Sequence, residues 1–243
     1  MKFIKVKDYE ALSEKACDFI VDKVKRLENL ALGLATGSTP EGLYQRVIEK
    51  YRQGEVSFKD VSTFNLDEYI GLAKDHPNSY YHYMYEKLFK HIDISMDQVH
   101  IPSGDVVNLQ EECMSYERRI QHANQIDVQV LGLGVNGHIG FNEPGTPLSS
   151  RTHVVDLDAS TRKANARFFN SIEEVPEKAI TMGIETIMES KEILLLVSGK
   201  SKAKAVNQLI NEEVSSAFPA SVLQKHGRVT VIADKAALGE VEG

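Results

Sequence analysis

Leu30-Ala31-Leu32-Gly33-Leu34-Ala35-Thr36-Gly37-Ser38-Thr39-Pro40 begins as a strand without a polar face and ends as a helix start. Leu30 to Ala35 shows no alternation of apolar and polar positions, so both of its faces must be covered. Strands of that kind belong inside parallel sheets with helices on both sides. Thr39-Pro40 then opens a helix that runs to Gly54, since proline at the first helical position lacks only an N–H that would have no partner there. The pattern extends in both directions. Phe3 to Val6 reads as a strand, followed by Asp8 as a cap and a helix with apolar positions Leu12, Ala16, Phe19, Ile20 and Val24. Further strands are expected over Asp60 to Leu66, Ile126 to Leu133, Thr152 to Leu157, Glu192 to Ser198 and Arg228 to Ala233. Helices are expected over Asn78 to Phe89, Leu109 to Ala123, Thr181 to Met188 and Ser201 to Ile210. The fold class is α/β, a Rossmann-like open, mostly parallel sheet flanked by helices. No repeat, low-complexity tract or long linker divides the chain, which reads as a single domain over residues 1–243.

Composition narrows the function. The 243 residues include 28 Lys plus Arg and 35 Asp plus Glu, a formal net charge of −7. Such a balance gives no basic footprint and argues against a nucleic-acid partner. Ile193 to Val197 is the longest aliphatic run, five residues against the roughly 20 a membrane span needs. The N-terminal MKFIKVKDYE lacks the apolar stretch of a signal peptide, so a cytoplasmic location is expected. Cys17 and Cys113 form no Cys-x-x-Cys pair and read as reduced packing residues.

In open parallel sheets, ligands bind outside the carboxyl ends of the strands. Four loops there carry chemistry. Thr36-Gly37-Ser38-Thr39-Pro40 offers small residues and free N–H groups at a helix start, which suits an anion; an ordinary connection capped by Thr39 fits equally. Ser198-Gly199-Lys200-Ser201-Lys202 repeats the arrangement but has Leu194 where a P-loop needs glycine, so it is no nucleotide loop. Phe64-Asn65-Leu66-Asp67-Glu68-Tyr69 puts two carboxylates together. One of them can serve as a base, or Asp67 can bond a turn's backbone. The richest loop is Leu131-Gly132-Leu133-Gly134-Val135-Asn136-Gly137-His138-Ile139-Gly140-Phe141-Asn142-Glu143-Pro144-Gly145. Its glycines match a dinucleotide fingerprint, but Gly140, Pro144, Gly145 and Pro147 forbid the helix that motif requires. What remains is an imidazole with a carboxylate and two amides within eight residues. No spacing suggests a metal site.

Asn65-Leu66-Asp67-Glu68-Tyr69, His76-Pro77-Asn78-Ser79-Tyr80-Tyr81 and Gly137-His138-Ile139-Gly140-Phe141-Asn142-Glu143-Pro144 resemble the glucosamine-6-phosphate deaminase family. So do Ser149-Ser150-Arg151-Thr152 and Asn165-Ala166-Arg167-Phe168-Phe169, and the likeness spans nearly the whole chain. It implies conversion of glucosamine 6-phosphate and water to fructose 6-phosphate and ammonia, in amino-sugar catabolism. The family's pattern sets the C2 proton-abstracting base at Asp67 and the ring-opening imidazole at His138, supported by Asn136 and Glu143. Phosphate would rest on Gly37, Ser38 and Thr39, with Arg167 and Lys202 as cationic contacts. The resemblance implies no cofactor and no metal. The segment from about Leu157 to Val175, including Arg162 and Arg167, carries polar and charged residues around Phe168-Phe169 without a clean period, so a mobile lid is expected over residues 157–175.

Two departures from the pattern matter. Longer family members have aspartate where this chain has Asn136, so a neutral amide replaces a carboxylate beside the imidazole. Allosteric members carry two basic residues where His153 and Val155 stand here, and a longer tail. A monomer without activation by N-acetylglucosamine 6-phosphate is therefore expected, rather than an allosteric hexamer. The rival readings are a 6-phosphogluconolactonase-like hydrolase and a non-catalytic sugar-phosphate sensor. The first strand begins at Phe3, which leaves a sensor no room for an attached DNA-binding segment.

Overall fold

Ile193-Leu194-Leu195-Leu196-Val197 is buried at every position, as a strand covered on both faces must be. In the computed structural model, which describes residues 1–166 and 169–239, it is β9 and sits near the middle of a seven-stranded sheet. In chain order the elements are β1 (Lys2–Val6), α1 (Tyr9–Arg26), β2 (Ala31–Leu34), α2 (Ser38–Arg52), β3 (Ser62–Asn65) and β4 (Asp67–Tyr69). There follow α3 (Tyr80–Lys87), β5 (Val99–His100), α4 (Leu109–His122), β6 (Val128–Gly132), β7 (His153–Asp156) and α5 (Ala159–Asn165). The last are β8 (Lys178–Thr181), α6 (Ile184–Met188), β9 (Ile193–Val197), α7 (Ala203–Asn211) and β10 (Val229–Asp234).

The large sheet has the order β1-β10-β9-β6-β2-β3-β5, and all its paired strands are parallel. Alternate residues of β9 feed two cores. Leu194 and Leu196 pack with Leu12, Leu43 and Met84 of α1, α2 and α3. Ile193, Leu195 and Val197 pack with Tyr116, Ile187 and Leu209 of α4, α6 and α7. From β2 the chain moves outward to β3 and β5, and it returns on the other edge of β2 as β6. That reversal opens a crevice where the loops after β2 and β6 diverge, the place such sheets bind ligands.

The parallel sheet was expected; a second sheet was not. β4, β8 and β7 form a small antiparallel sheet in which Asp67 faces Thr181, and Thr181 faces His153. Asp67–Tyr69 therefore belongs to a strand rather than to a loop, and Thr181 ends a strand rather than opening a helix. The helix begins only at Ile184, because Gly183 passes so close to the next chain that a Cβ would lie 2.2 Å from the Ser150 carbonyl oxygen. Strands of three and four residues are too short to display a period.

Helix starts also shift. α2 begins at Ser38 with Gly37 as its N-cap at φ +97°, so Thr39 is not the cap and Pro40 lies inside the first turn. The turn occurs at the one residue that tolerates positive φ. Pro40 still falls among the helix's first N–H positions, which have no intrahelical acceptor. Asp8 caps α1 as read, accepting from the Ala11 N–H at 2.9 Å. Both cysteines are buried, and burial pushes the Cys17 thiol up to about 12. Among the described residues, no helix is long and apolar enough to cross a membrane.

The loop before α4 braces the small sheet. A Cβ on Gly104 would lie 1.9 Å from the Tyr69 carbonyl oxygen and 2.9 Å from the Ile70 Cα. Gly104→Ala must displace main chain at the end of β4, and the expected cost is about 1–3 kcal/mol, read from the urea midpoint. An unchanged midpoint would contradict this packing.

Candidate active site

The site is built where strands end. After β2, Gly37 turns the chain and α2 starts without a side-chain cap, so the N–H groups of its first turn face the crevice side unclaimed by a capping side chain. The Tyr83 hydroxyl fixes this turn by donating to the Gly37 carbonyl at 2.8 Å. After β9, Gly199 repeats the device at φ +94°. Its N–H donates to both oxygens of Asp234 at 3.1 Å, and the Ser198 hydroxyl donates to the same carboxylate at 2.5 Å. The turn over Lys200–Lys202 then carries Lys202 to the cavity wall, where burial lowers the affinity of its amine for the proton. Two positive-φ glycines thus bring a helix start and an ammonium to one cavity, an arrangement that favours an anion.

That cavity measures about 410 Å³. Gly37, Ser38, Thr39, Asp67, Asn136, His138 and Lys202 all line it, so seven of the nine residues singled out from sequence meet there. Glu143 stands behind His138, bonded to Asn136 rather than lining the cavity. Arg167 lies outside the described residues.

Asp67 is buried on β4, and burial, followed by the charge of Glu68, raises its carboxyl to about 8. Its neighbour is treated differently. Glu68 accepts the Tyr69 and Tyr80 N–H groups on Oε1 at 2.8 and 2.9 Å, and the Tyr81 N–H on Oε2 at 2.9 Å. Burial raises Glu68 to about 6, with these three bonds opposing the rise. The backbone-bonding role that sequence left open for Asp67 therefore belongs to Glu68, which ties β4 to the start of α3. Gly140, at φ +57°, keeps space over Asp67: a Cβ there would lie 3.0 Å from Thr181 Oγ1 and 3.6 Å from Asp67 Oδ2.

The glycine-rich loop after β6 stays irregular, as its prolines and glycines require. The Gly134 N–H donates to the His138 carbonyl at 2.9 Å, and the Gly137 N–H donates to the Gly134 carbonyl at 3.0 Å. A Cβ on Gly134 would come within 2.4 Å of the His138 ring, so only glycine lets the imidazole lie against the main chain. His138 Nδ1 meets Asn136 Oδ1 at 2.7 Å, and Asn136 Nδ2 donates to Glu143 Oε2 at 2.7 Å. The Thr161 hydroxyl of α5 donates to Glu143 Oε1. The direct approach of His138 Nδ1 to Glu143 Oε2 is 3.6 Å, too long for a hydrogen bond. Burial works against ionisation of Glu143, yet the His138, Thr161 and Asn136 contacts outweigh it and hold the carboxyl at about 2.

Sequence reading missed the aromatic wall and the α5 contacts. Tyr80 stacks on Phe141 at 6.0 Å and Tyr69 lies 4.8 Å from Tyr80, while Phe169 meets Tyr69 edge-on at 5.8 Å. Asn165 Nδ2 donates to the Tyr69 hydroxyl at 2.9 Å. The density of tyrosine in α3 was the only hint of the wall; nothing in the sequence marked Thr161. Among the described residues, no group of three or more His, Cys, Asp or Glu gathers around a metal-sized space. The arrangement can hold an anion at one end of the cavity and move protons on a polar molecule with an imidazole and a basic carboxylate.

Comparison with known proteins gives a consistent result. Residues 7–232 match the family described as glucosamine-6-phosphate isomerases/6-phosphogluconolactonase. The chain is 58% identical over 241 residues to a glucosamine-6-phosphate deaminase of Oceanobacillus iheyensis, covering 99% of this chain and 96% of that one. It is 56% identical over 237 residues to one from Shouchella clausii, covering 98% and 96%. A solved monomeric glucosamine-6-phosphate deaminase is 50% identical and superposes with a TM-score of 0.97 over 98% of this chain and 99% of that one. A 6-phosphogluconolactonase from Trypanosoma brucei superposes at 0.78 over 98% and 97%, but with 21% identity it shares the fold alone.

The basic carboxyl of Asp67 has a cost that can be measured. Its folded-state value of about 8 lies above the ordinary 3.8. Between those values the native state keeps a proton that the unfolded chain releases, so its contribution to stability is full below about pH 4 and is lost as pH rises through about 8. Asp67→Asn removes the penalty. At pH 8 the variant is expected to exceed the wild type in urea stability by on the order of 1–3 kcal/mol, with the gap closing at low pH. A wild type at least as stable as the variant at pH 8 would refute this account.

Proposed function

The chain belongs to the glucosamine-6-phosphate isomerase/6-phosphogluconolactonase family, and from that membership we propose that it isomerises and deaminates glucosamine 6-phosphate. The products are fructose 6-phosphate and ammonia, in amino-sugar catabolism. The observation that carries this reading is identity above one half, over nearly the full length, to relatives that are deaminases. The lactonase alternative is not favoured, because the lactonase neighbours share only the fold.

The chemistry follows from the groups around the cavity. The phosphate dianion sits against the first turn of α2 at Gly37, Ser38 and Thr39 and pairs with Lys202. Arg167 adds a second cation in this reading. Opening the pyranose moves a proton between O5 and O1, the task of His138, since a ring with two nitrogens can accept a proton and return it. Asp67 then takes the proton from C2 and returns it to C1. The amine gives up one N–H proton as O1 takes one up, so C1 becomes a hydroxymethyl carbon and C2 an imine carbon; water adds at C2, and ammonia leaves with the carbon–nitrogen bond broken. A carboxylate of high proton affinity suits the C2 step, and the value of about 8 supports Asp67 in it.

The remaining features fit the same picture. Thr161 and Asn165, one helical turn apart on α5, contact Glu143 and Tyr69 respectively. This supports a lid over residues 157–175 that settles when substrate binds. In this reading the protein is a monomer, as its solved neighbour is; it works in the cytoplasm and is not activated by N-acetylglucosamine 6-phosphate.

Incubation with glucosamine 6-phosphate should release ammonia and fructose 6-phosphate in equal amounts. Asp67→Asn should lower kcat by at least about 10²-fold and leave phosphate-sugar binding in place. Full activity in that variant would show that another group is the base. Amide exchange over residues 157–175 should slow when a substrate analogue is bound; unchanged protection would refute the lid.

A further inference from the structure

Tyrosine hydroxyls converge on the carbonyls of the turn between β2 and α2. Tyr44 donates to the Ala35 carbonyl, Tyr83 to that of Gly37 and Tyr9 to that of Ser38, the last two at 2.8 Å. We propose that Tyr9, the first residue of α1, is a positioning residue for the phosphate group of the substrate: by holding the Ser38–Thr39 peptide, it aims the Thr39 N–H at the anion. The inference rests on the reading of Gly37, Ser38 and Thr39 as the phosphate turn, and it adds a residue that does not itself line the cavity.

A trans peptide is planar, with its C=O and N–H pointing opposite ways. Among the described residues no peptide bond is cis, so a contact that pins a carbonyl also sets the N–H of the next residue. Tyr83 thereby sets the Ser38 N–H, and Tyr9 sets that of Thr39. These are the donors that matter in the first turn of α2, because Pro40 has no N–H and no capping side chain consumes the others. A Ser38 carbonyl rotated toward the cavity would instead set the negative end of its dipole against the dianion.

The Tyr9 hydroxyl is held on both sides. It donates to the Ser38 carbonyl and accepts the Gly42 N–H, each at 2.8 Å. These two groups stand four residues apart, the pair that an α-helix joins, so one phenol bridges a rung of the first turn. A phenol has one hydrogen to give and an oxygen that accepts, and both capacities are used here. Gly42 lets the hydroxyl in: a Cβ there would lie 2.1 Å from Ser13 Oγ and 3.0 Å from the Tyr9 oxygen. Ser13 donates in turn to the Tyr9 carbonyl at 2.8 Å, and Asp8 caps α1 just before it. Tyr9, Ser13 and Gly42 all lie outside the cavity lining, so the route from Tyr9 to the substrate passes through the Ser38–Thr39 peptide.

Tyr9→Phe keeps the ring and removes the hydroxyl. In this variant KM for glucosamine 6-phosphate and the inhibition constant of inorganic phosphate should each rise about three- to tenfold, the worth of one hydrogen bond, while kcat at saturation stays at the wild-type value. Titration of the ¹⁵N-labelled wild type with inorganic phosphate should shift the Thr39 amide resonance, and Tyr9→Phe should need a correspondingly higher phosphate concentration for the same shift. Unchanged KM and phosphate inhibition in folded Tyr9→Phe would overturn the proposal, and so would a loss confined to kcat. A wild-type Thr39 amide that does not respond to phosphate would overturn it whether or not the variant folds. Absence of ammonia release from the wild type, alongside the expected phosphate titrations, would instead refute the reaction reading and leave the role of Tyr9 standing.

Discussion

Leu66 is hydrogen-bonded to both sheets at once. Its N–H donates to the Leu34 carbonyl of β2 at 3.1 Å, and its carbonyl accepts the Met182 N–H at 2.6 Å. The chain therefore crosses from the large sheet to the small one within a single residue, between Asn65 and Asp67. No slack separates Asp67 from the strand that feeds the start of α2. Everything else at the site is arranged around that fixed crossing: Glu68 fastens the next step of β4 to α3, and Gly140 keeps the space above Asp67 clear.

Two carboxylates near the cavity are driven in opposite directions by their surroundings. Asp67 has burial and a like-charged neighbour, and it holds its proton to about 8. Glu143 is half-buried, but donors engage both its oxygens and keep it ionised to about 2. Environments that push like groups apart are how one site acquires both a proton acceptor and a fixed charge. The net charge of −7 plays no part in this. A protein that repels anions overall gathers its local positive potential from Lys202 and the start of α2.

The large sheet was legible because buried parallel strands write themselves as unbroken apolar runs, as Leu30 to Ala35 and Ile193 to Val197 do. The irregular loop was legible because proline and glycine forbid the alternatives. The small sheet was hidden by the brevity of β4 and β8 and by the polar Asp67-Glu68 pair, which imitates a turn. The start of α2 was misplaced since Thr and Pro resemble a cap and first position, while the positive φ of Gly37 leaves no mark in sequence beyond the glycine itself. Asp67, His138 and Lys202 were found by residue type at strand ends. Thr161 and the aromatic wall were not, because contacts between distant segments have no local spacing to read.

The separation of the two sheets also says which parts of the site can vary independently. The start of α2 and the imidazole loop follow strands of the large sheet, whereas Asp67 belongs to a three-residue strand of the small one. A substitution confined to that strand changes the carboxylate and leaves the strands that carry the other groups in place. Leu66 is the seam between the two halves.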